Sequence, residues 1–267
     1  MVHVALAIAG SEATGGAGAQ TDIKTFHQLG VFGTVTLTCI VSFDPQDGWA
    51  HRFVPIDPGT IADQIESSTA VHEVDAVKLG MLGTPGTIDV VAGALAEHDF
   101  RHVVLDPVMI CKEGEGDTPA RATDDALMAK ILPRATFVTP NLGETRILAG
   151  TGPLDSLEDL TAAARAIHER WGVTVLAKGG VELAGEDAVD VFVDDEREVV
   201  LRSPKIGEHR VSGAGCTLAA AVTAELAKGA DALDAARTAK RVVTSAIEHR
   251  QHGRALFDAV YQGFYRG

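Results

Sequence analysis

Apolar residues along this chain gather in short Val-, Ile- and Leu-rich runs, separated by longer stretches in which they recur every three or four positions. "HVALAIAG" predicts a buried strand and "GAQTDIKTFHQLG" a helix closed by Gly30. "GTVTLTCIVSF" predicts the next strand, "PGTIADQIESSTAVHEV" a helix, "DAVKLGML" a strand and "TPGTIDVVAGALAEHD" a helix. "RHVVLDPVMI" continues as a strand, "DDALMAKILPRA" as a helix, "TFVTPN" as a strand and "LGETRILAG" as a short helix. "SLEDLTAAARAIHERWG" and "VTVLAKGG" repeat the theme. "AVDVFVDDEREVVLRSP" predicts an antiparallel hairpin turning at Asp194-Asp195, and two helices follow, from Gly215 and from about Asp231.

This alternation predicts an α/β fold, a mostly parallel sheet with helices on both faces and an antiparallel edge. No linker, repeat or low-complexity tract interrupts residues 1–267, which read as a single domain. In such sheets ligands bind beyond the carboxyl ends of the strands.

Composition narrows the function. Aromatics make up 5 % of the chain, and Gly (28 residues) is plentiful, which suits close packing of helices on a parallel sheet. A net charge of −14 argues against nucleic acid as a standing partner, because phosphate backbones repel such a surface. An anionic substrate then needs a local pocket of backbone N–H groups, Lys or metal. No apolar run reaches the roughly 20 residues of a membrane span, and "MVHVALAIAG" reads as a first strand rather than a signal peptide. Three cysteines make no disulfide framework, so free thiols and a cytoplasmic location are expected.

Five stretches after strands carry candidate chemistry. In "AGSEATGGAGAQTDIKTF" the glycines permit close approach of a ligand, but neither a Walker loop nor the dinucleotide fingerprint is present, and such a loop is more often plain turn chemistry than a site. In "VVLDPVMICKEGEGD" Asp106 suits Mg²⁺, proton transfer or a simple cap, and Cys111 opens the following loop. Asn141 and Glu144 in "FVTPNLGETRILAG" have capping-box spacing, which competes with a role in binding Mg²⁺ or phosphate. Lys178 in "VLAKGG" either meets a phosphate or is a solvated strand end. In "HRVSGAGCTLAAAV", Gly213, Ala214 and Gly215 can turn successive N–H groups into one concavity at a helix start. Cys216 follows, where those N–H groups and the helix dipole should lower its pKa below about 8.5. Packing of a small thiol is the alternative there, and it is the reading for Cys39. No C-x-x-C or histidine cluster suggests structural zinc.

Taken in order, "IAGSEATGGAGAQTDIKTF", "VKLGMLGT", "VVLDPVMICK", "VTPNLGE", "AKGG" and "SGAGCTLAAAV" resemble the ribokinase superfamily over essentially the whole chain. The resemblance is greatest to its vitamin kinase branch, the hydroxymethylpyrimidine (phosphate) kinases and bacterial dual-cysteine pyridoxal/pyridoxine kinases. It implies a ribokinase-like three-layer α/β/α fold, ATP as phosphoryl donor, Mg²⁺, a small-molecule vitamin substrate and a homodimer. The implied nucleotide positions are Asn141, Lys178, Gly179, Gly180, Asp190 and Gly215, with Asp106 and Glu144 near the metal. The vitamin ring is placed near Gly10, Asp22, Met81 and Val108, and Cys216 takes the position of the sugar kinases' aspartate base.

Cys111 corresponds to the flap cysteine that adds to the aldehyde of pyridoxal, with His51 of "DGWAH" assisting. Phe43 lies where pyrimidine kinases present a polar side chain to an exocyclic amine. Both features imply phosphorylation of pyridoxal, with pyridoxine and pyridoxamine as further substrates. Hydroxymethylpyrimidine (phosphate) kinase is one alternative, and a vitamin-binding regulatory protein without chemistry is another. Two departures stand out: Ser212 replaces the histidine of the common H-G-x-G-C, and Glu12 stands where Asp is common.

Overall fold

In the computed structural model, which describes residues 2–110, 118–254 and 257–267, the strands form one sheet of nine, counted among those residues. The strands are β1 (Val4–Glu12), β2 (Phe32–Asp44), β3 (Ala50–Pro55), β4 (Ala76–Leu79), β5 (Val103–Leu105), β6 (Phe137–Val138), β7 (Thr174–Lys178), β8 (Asp187–Val193) and β9 (Glu198–Pro204). Their order is β3-β2-β1-β4-β5-β6-β7-β8-β9. The six central strands are parallel, while β3 closes one edge antiparallel and the β8–β9 hairpin closes the other.

The helices are α1 (Gly18–Gln28), α2 (Pro58–Val71), α3 (Pro85–Glu97), α4 (Thr118–Ala126), α5 (Leu142–Ala149), α6 (Leu157–Trp171), α7 (Ala214–Ala227) and α8 (Ala232–Glu248). Strand side chains alternate between two helical layers. Leu6, Ile8, Val77, Leu79, Val103, Leu105, Val175 and Ala177 enter one core with Ile61 of α2, Val91 of α3 and Ile167 of α6. Val104, Phe137, Leu176 and Phe192 point the opposite way, against Val222 of α7 and Val242 of α8. Ala5 and Ala7 meet Ala220 and Ala224 of α7, so small residues on both sides bring that helix close to β1. The fold is the three-layer α/β/α arrangement expected.

The same alternation assigns a face to the polar residues. Counting by two from Val104, Leu176 and Phe192 puts Asp106, Lys178 and Asp190 on the α7–α8 side. From Ala5 and Ala7, and their partners Ala76 and Lys78 on β4, Lys78 lies there too. A row of charged groups therefore lines the face that α7 covers, at or beyond the carboxyl ends of parallel strands.

Three boundaries depart from expectation. β5 ends at Leu105 rather than continuing to Ile110, because Asp106 and Pro107 leave the strand and Val108 N–H turns back to Asp106 O at 2.8 Å. The helix expected from Asp124 begins at Thr118, then passes through a π turn (Leu127–Ile131) and a 3₁₀ turn (Leu132–Arg134), where Pro133 supplies no N–H. β3 was not expected from the sequence: all six of its residues are exposed, so no burial pattern marks it, and pairing with β2 makes it a strand. The predicted hairpin turn forms, with Asp194 accepting from the N–H groups of Glu196 and Arg197.

Candidate active site

The glycine-rich loop after β1 is organised by the residue that departs from the common pattern. The Glu12 carboxylate accepts from the N–H of Thr14 (2.6 Å), Gly16 (2.9 Å) and Ala17 (3.2 Å) and from the Thr14 hydroxyl (2.8 Å). The longer glutamate thus folds the loop around its own charge. Gly18 begins α1 at φ 64°, and a Cβ there would lie 2.3 Å from Gly10 O, so only glycine allows this return.

Across the cleft, Gly213 caps α7 at φ 80° and ψ 0°. A Cβ on it would meet Gly16 O at 1.9 Å, which locks the two loops together. The N–H concavity begins after Ser212, whose own N–H is given to Asp258 O at 2.9 Å. Ala214 N–H makes a long bond to Val211 O (3.3 Å). The donors left for a ligand are Gly213, Gly215 and Cys216, with Ala214 in part.

Gly215 sits against the charged row. A Cβ there would be 3.4 Å from Lys178 Nζ and 3.7 Å from the Asp106 carboxylate. Lys178 and Asp106 pair at 3.3 Å with little exposure. Burial disfavours the Lys178 cation, but Asp106 and Glu144 outweigh it and raise its pKa. Asn141 and Glu144 build the capping box of α5: Asn141 Oδ1 accepts from Glu144 N–H (3.0 Å) and Glu144 Oε2 from Asn141 N–H (2.7 Å). Burial pushes the Glu144 carboxyl up to about 7, with Lys178 pulling it down and Asp106 pushing it further up. Glu144 thus holds a helix end and faces the site.

Asn141, Lys178, Gly179, Gly180, Asp190 and Gly215 all line one cavity of about 260 Å³. Asp190 is 3 % exposed and pairs at 2.8 Å with Lys240 of α8, which also donates to Ala188 O at 2.9 Å. Lys240 lines the cavity but was not singled out from the sequence; a single lysine on a strongly amphipathic helix carries no mark of its buried partner.

On the other side of Cys216 is an ion pair without solvent contact. Lys78 Nζ donates to Asp22 Oδ2 at 2.9 Å, both side chains being 0 % exposed. Asp22 Oδ1 has no hydrogen-bond partner. Burial pushes Asp22 up to about 6 against the pull of Lys78. Burial opposes the Lys78 cation, yet the charges of Asp22, Cys216 and Asp106 prevail and raise its pKa. Asp22, which the resemblance places near the vitamin ring, anchors Lys78 through this pair. Lys78 itself was missed, although a lysine within "AVKLGML" had to find a buried partner.

Cys216 corrects the electrostatic expectation. Its thiol is pushed up to about 11, not lowered: burial dominates, Lys78 and the Gly18 N–H favour the thiolate, and Asp22 and Asp106 oppose it. The resting group is a thiol. In ligand-free protein carrying Cys111→Ser, alkylation of Cys216 should accelerate about tenfold per pH unit from pH 7 to about 9.5. Rates that level off near neutral pH would show that the helix end outweighs burial. Cys39, fully buried with its pKa raised by burial, should stay unlabelled in the folded protein.

Gly10 leaves no room beside Cys39, whose Sγ would be 2.6 Å from a Cβ, and Met81 lies 4.0 Å from the same point. Val108 lies two positions after Asp106 and is half-buried at the same strand end, its N–H donating to Asp106 O. Phe43 and His51 face each other across the β2–β3 hairpin, ring centroids 4.8 Å apart, and Phe257 lies 5.1 Å from Phe43. Cys111 lies outside the described residues.

Among the described residues no cluster of three or more His, Cys, Asp or Glu can cage a metal, and no helix is long and apolar enough to cross a membrane. Two carboxylates, one held near pH 7 by burial, nonetheless suit Mg²⁺, which keeps waters and takes its remaining ligands from phosphate.

A family model described as phosphomethylpyrimidine kinase matches residues 12–257. The pyridoxine kinase of Bacillus subtilis is 44 % identical over 247 residues, covering 92 % of this chain and 91 % of its own. The ADP complex of Bacillus subtilis pyridoxal kinase superposes with a TM-score of 0.93 at 41 % identity, covering 98 % of both chains. The Staphylococcus aureus pyridoxal kinase with AMP-PCP and pyridoxal gives a TM-score of 0.90 at 35 % identity, covering 98 % of this chain and 94 % of the other.

Proposed function

This chain belongs to the phosphomethylpyrimidine kinase family, and we propose that it transfers the γ-phosphoryl group of ATP to the 5′-hydroxymethyl group of pyridoxal. One observation carries the reading: Cys216, the α7 N–H groups and the Lys178–Asp106 pair converge beside the cavity that Asn141, Gly180 and Asp190 line.

The substrate oxygen forms a bond to Pγ as the Pγ–O bond to ADP breaks, and the hydroxyl proton passes to Cys216 in its thiolate form, which becomes the thiol. The N–H groups of Gly213, Gly215 and Cys216 receive the charge spread over the phosphoryl oxygens, where fixed donors act with little reorganisation. Lys178 adds a cation on the same side. Mg²⁺, when bound with the nucleotide, neutralises phosphate charge; Asp106 and Glu144 are the residues that would hold it.

Two features favour pyridoxal over the phosphomethylpyrimidine of the family's description. Phe43 offers an exocyclic amine no hydrogen bond, and Cys111 has the chemistry to add to an aldehyde, forming a C–S bond as the proton moves to the carbonyl oxygen. Cys111→Ala should therefore lower kcat/KM for pyridoxal about tenfold or more while changing pyridoxine less. Equal losses on both would remove aldehyde capture. A homodimer and a cytoplasmic location complete the proposal.

ADP release with Mg²⁺-ATP and each of pyridoxal, pyridoxine, hydroxymethylpyrimidine and its monophosphate tests the assignment. Turnover of pyridoxal with little on the monophosphate is expected. Preferred turnover of the monophosphate would make the chain a phosphomethylpyrimidine kinase, and ligand-induced heat stabilisation without turnover of any substrate would make it a binding protein.

A further inference from the structure

We infer that the C-terminal segment Phe257–Gln262 is a positioning element of the phosphoryl-transfer site, with Gln262 acting through Thr217 on the first turn of α7. The inference rests on the kinase reading above for its catalytic consequence, but not for its structural one.

The loop that presents the N–H concavity is made of Ser212, Gly213, Ala214 and Gly215, none with a large side chain to anchor it. Two glycines, one of them (Gly213) in the left-handed region, leave such a backbone free to move unless something else holds it. The last strand-like piece of the chain does so. Ser212 gives its N–H to Asp258 O (2.9 Å) and receives Val260 N–H on its carbonyl (3.0 Å), which closes a parallel bridge to Ala259. Ala259 is held from its other side by Gln251, through bonds of 2.7 and 3.1 Å. The Asp258 carboxylate is clamped by Arg250 (2.9 Å) and His252 (3.0 Å).

Below this bridge, Gln262 Nε2 donates to Thr217 Oγ1 at 2.9 Å, and both residues are buried, at 3 % and 0 % exposure. Thr217 N–H in turn donates to Gly213 O at 2.8 Å, so Gln262 fixes the turn immediately after Cys216. The segment also touches the opposite loop: a Cβ on Gly16 would lie 3.1 Å from the Ala259 methyl, and one on Gly213 would lie 2.9 Å from Val260 Cγ2. At its start, Phe257 packs on Phe43. One short segment thus joins the glycine-rich loop, the anion-binding loop and the aromatic hairpin.

A displacement of about 1 Å at such donors is worth up to about a hundredfold in rate. Gln262→Met keeps the length of the side chain and removes the donor. In this variant kcat should fall about ten- to a hundredfold, with KM for pyridoxal and the Kd for ADP within about twofold of wild type. A plug that only stabilises the fold would lower the melting temperature and leave both the kcat/KM split and the loop untouched. Cys216 supplies a second readout that needs no substrate. Alkylation of Cys216 in the ligand-free Cys111→Ser background should be at least about fivefold faster with Gln262→Met at a temperature where both proteins are fully folded. Thr217→Val should reproduce the effect, and the double variant should add little to either single one. Unchanged kcat with unchanged Cys216 alkylation would overturn the inference. A wild-type chain that does not phosphorylate pyridoxal would instead remove the kinase reading, with the alkylation comparison still deciding whether the tail positions the loop.

Discussion

Cys216→Ala should lower kcat by roughly a hundred- to ten-thousandfold, the range a positioned general base supplies, while ADP still binds with nearly wild-type affinity. The reasoning begins with the thiol's surroundings. Its pKa is pushed up to about 11, so the thiolate proposed to accept the substrate proton is a minor form at neutral pH. Turnover should therefore rise with pH, with log kcat approaching a slope of one between about pH 6.5 and 8.5. Lys78 is the cation that favours the thiolate, and Asp22 and Asp106 oppose it. Cys216→Asp supplies a check with the opposite signature: a carboxylate is ionised over that range, so residual activity should lose most of its pH dependence. If Cys216→Ala turns over like wild type, another group is the base.

Lys78→Met should be the most destabilising single substitution among the site's charged residues. It leaves Asp22 fully buried, with one oxygen already unpartnered and the other stripped of its 2.9 Å ion pair. Breaking a buried pair from one side costs about 3–5 kcal/mol, because the surviving charge cannot return to water. For a chain of this size that corresponds to a fall in melting temperature of roughly 10 °C. Adding Asp22→Leu removes the stranded carboxylate and should recover most of the stability. It should not recover turnover, because the double variant still lacks the cation beside Cys216. A single variant melting within about 2 °C of wild type would show that Asp22 is relieved in some other way, by protonation or by water. A double variant with full activity would show that Lys78 serves folding alone.

How much of this was legible in the sequence follows from what each residue owes to its neighbours in the chain. The Val- and Ile-rich strands announce themselves because parallel strands are covered on both faces. The capping box of Asn141 and Glu144 is a spacing of three and needs no tertiary partner. The turn at Asp194 and the glycine stop at Gly30 are local in the same sense. β3 is not local: no residue of it is buried, so its strand character comes entirely from the ladder with β2.

Long-range pairs were equally silent. Lys78 meets Asp22 across 56 positions, Lys240 meets Asp190 across 50, and Gln262 meets Thr217 across 45. The sequence placed Cys216 at a helix end, where thiolate is favoured, but the sign of its pKa shift depends on burial and on two carboxylates brought in from α1 and the end of β5. The departure of Glu12 from the common aspartate is visible in the sequence, but that the longer side chain reaches four donors of its own loop is not.

The central claim is tested most directly by competition. Equimolar pyridoxal and hydroxymethylpyrimidine monophosphate are given together with limiting Mg²⁺-ATP, and the ratio of phosphorylated products, identified by mass, reports the ratio of kcat/KM. A product pool dominated by pyridoxal 5′-phosphate is the result expected of the pyridoxal kinase proposed. A pool dominated by the pyrimidine diphosphate would contradict it.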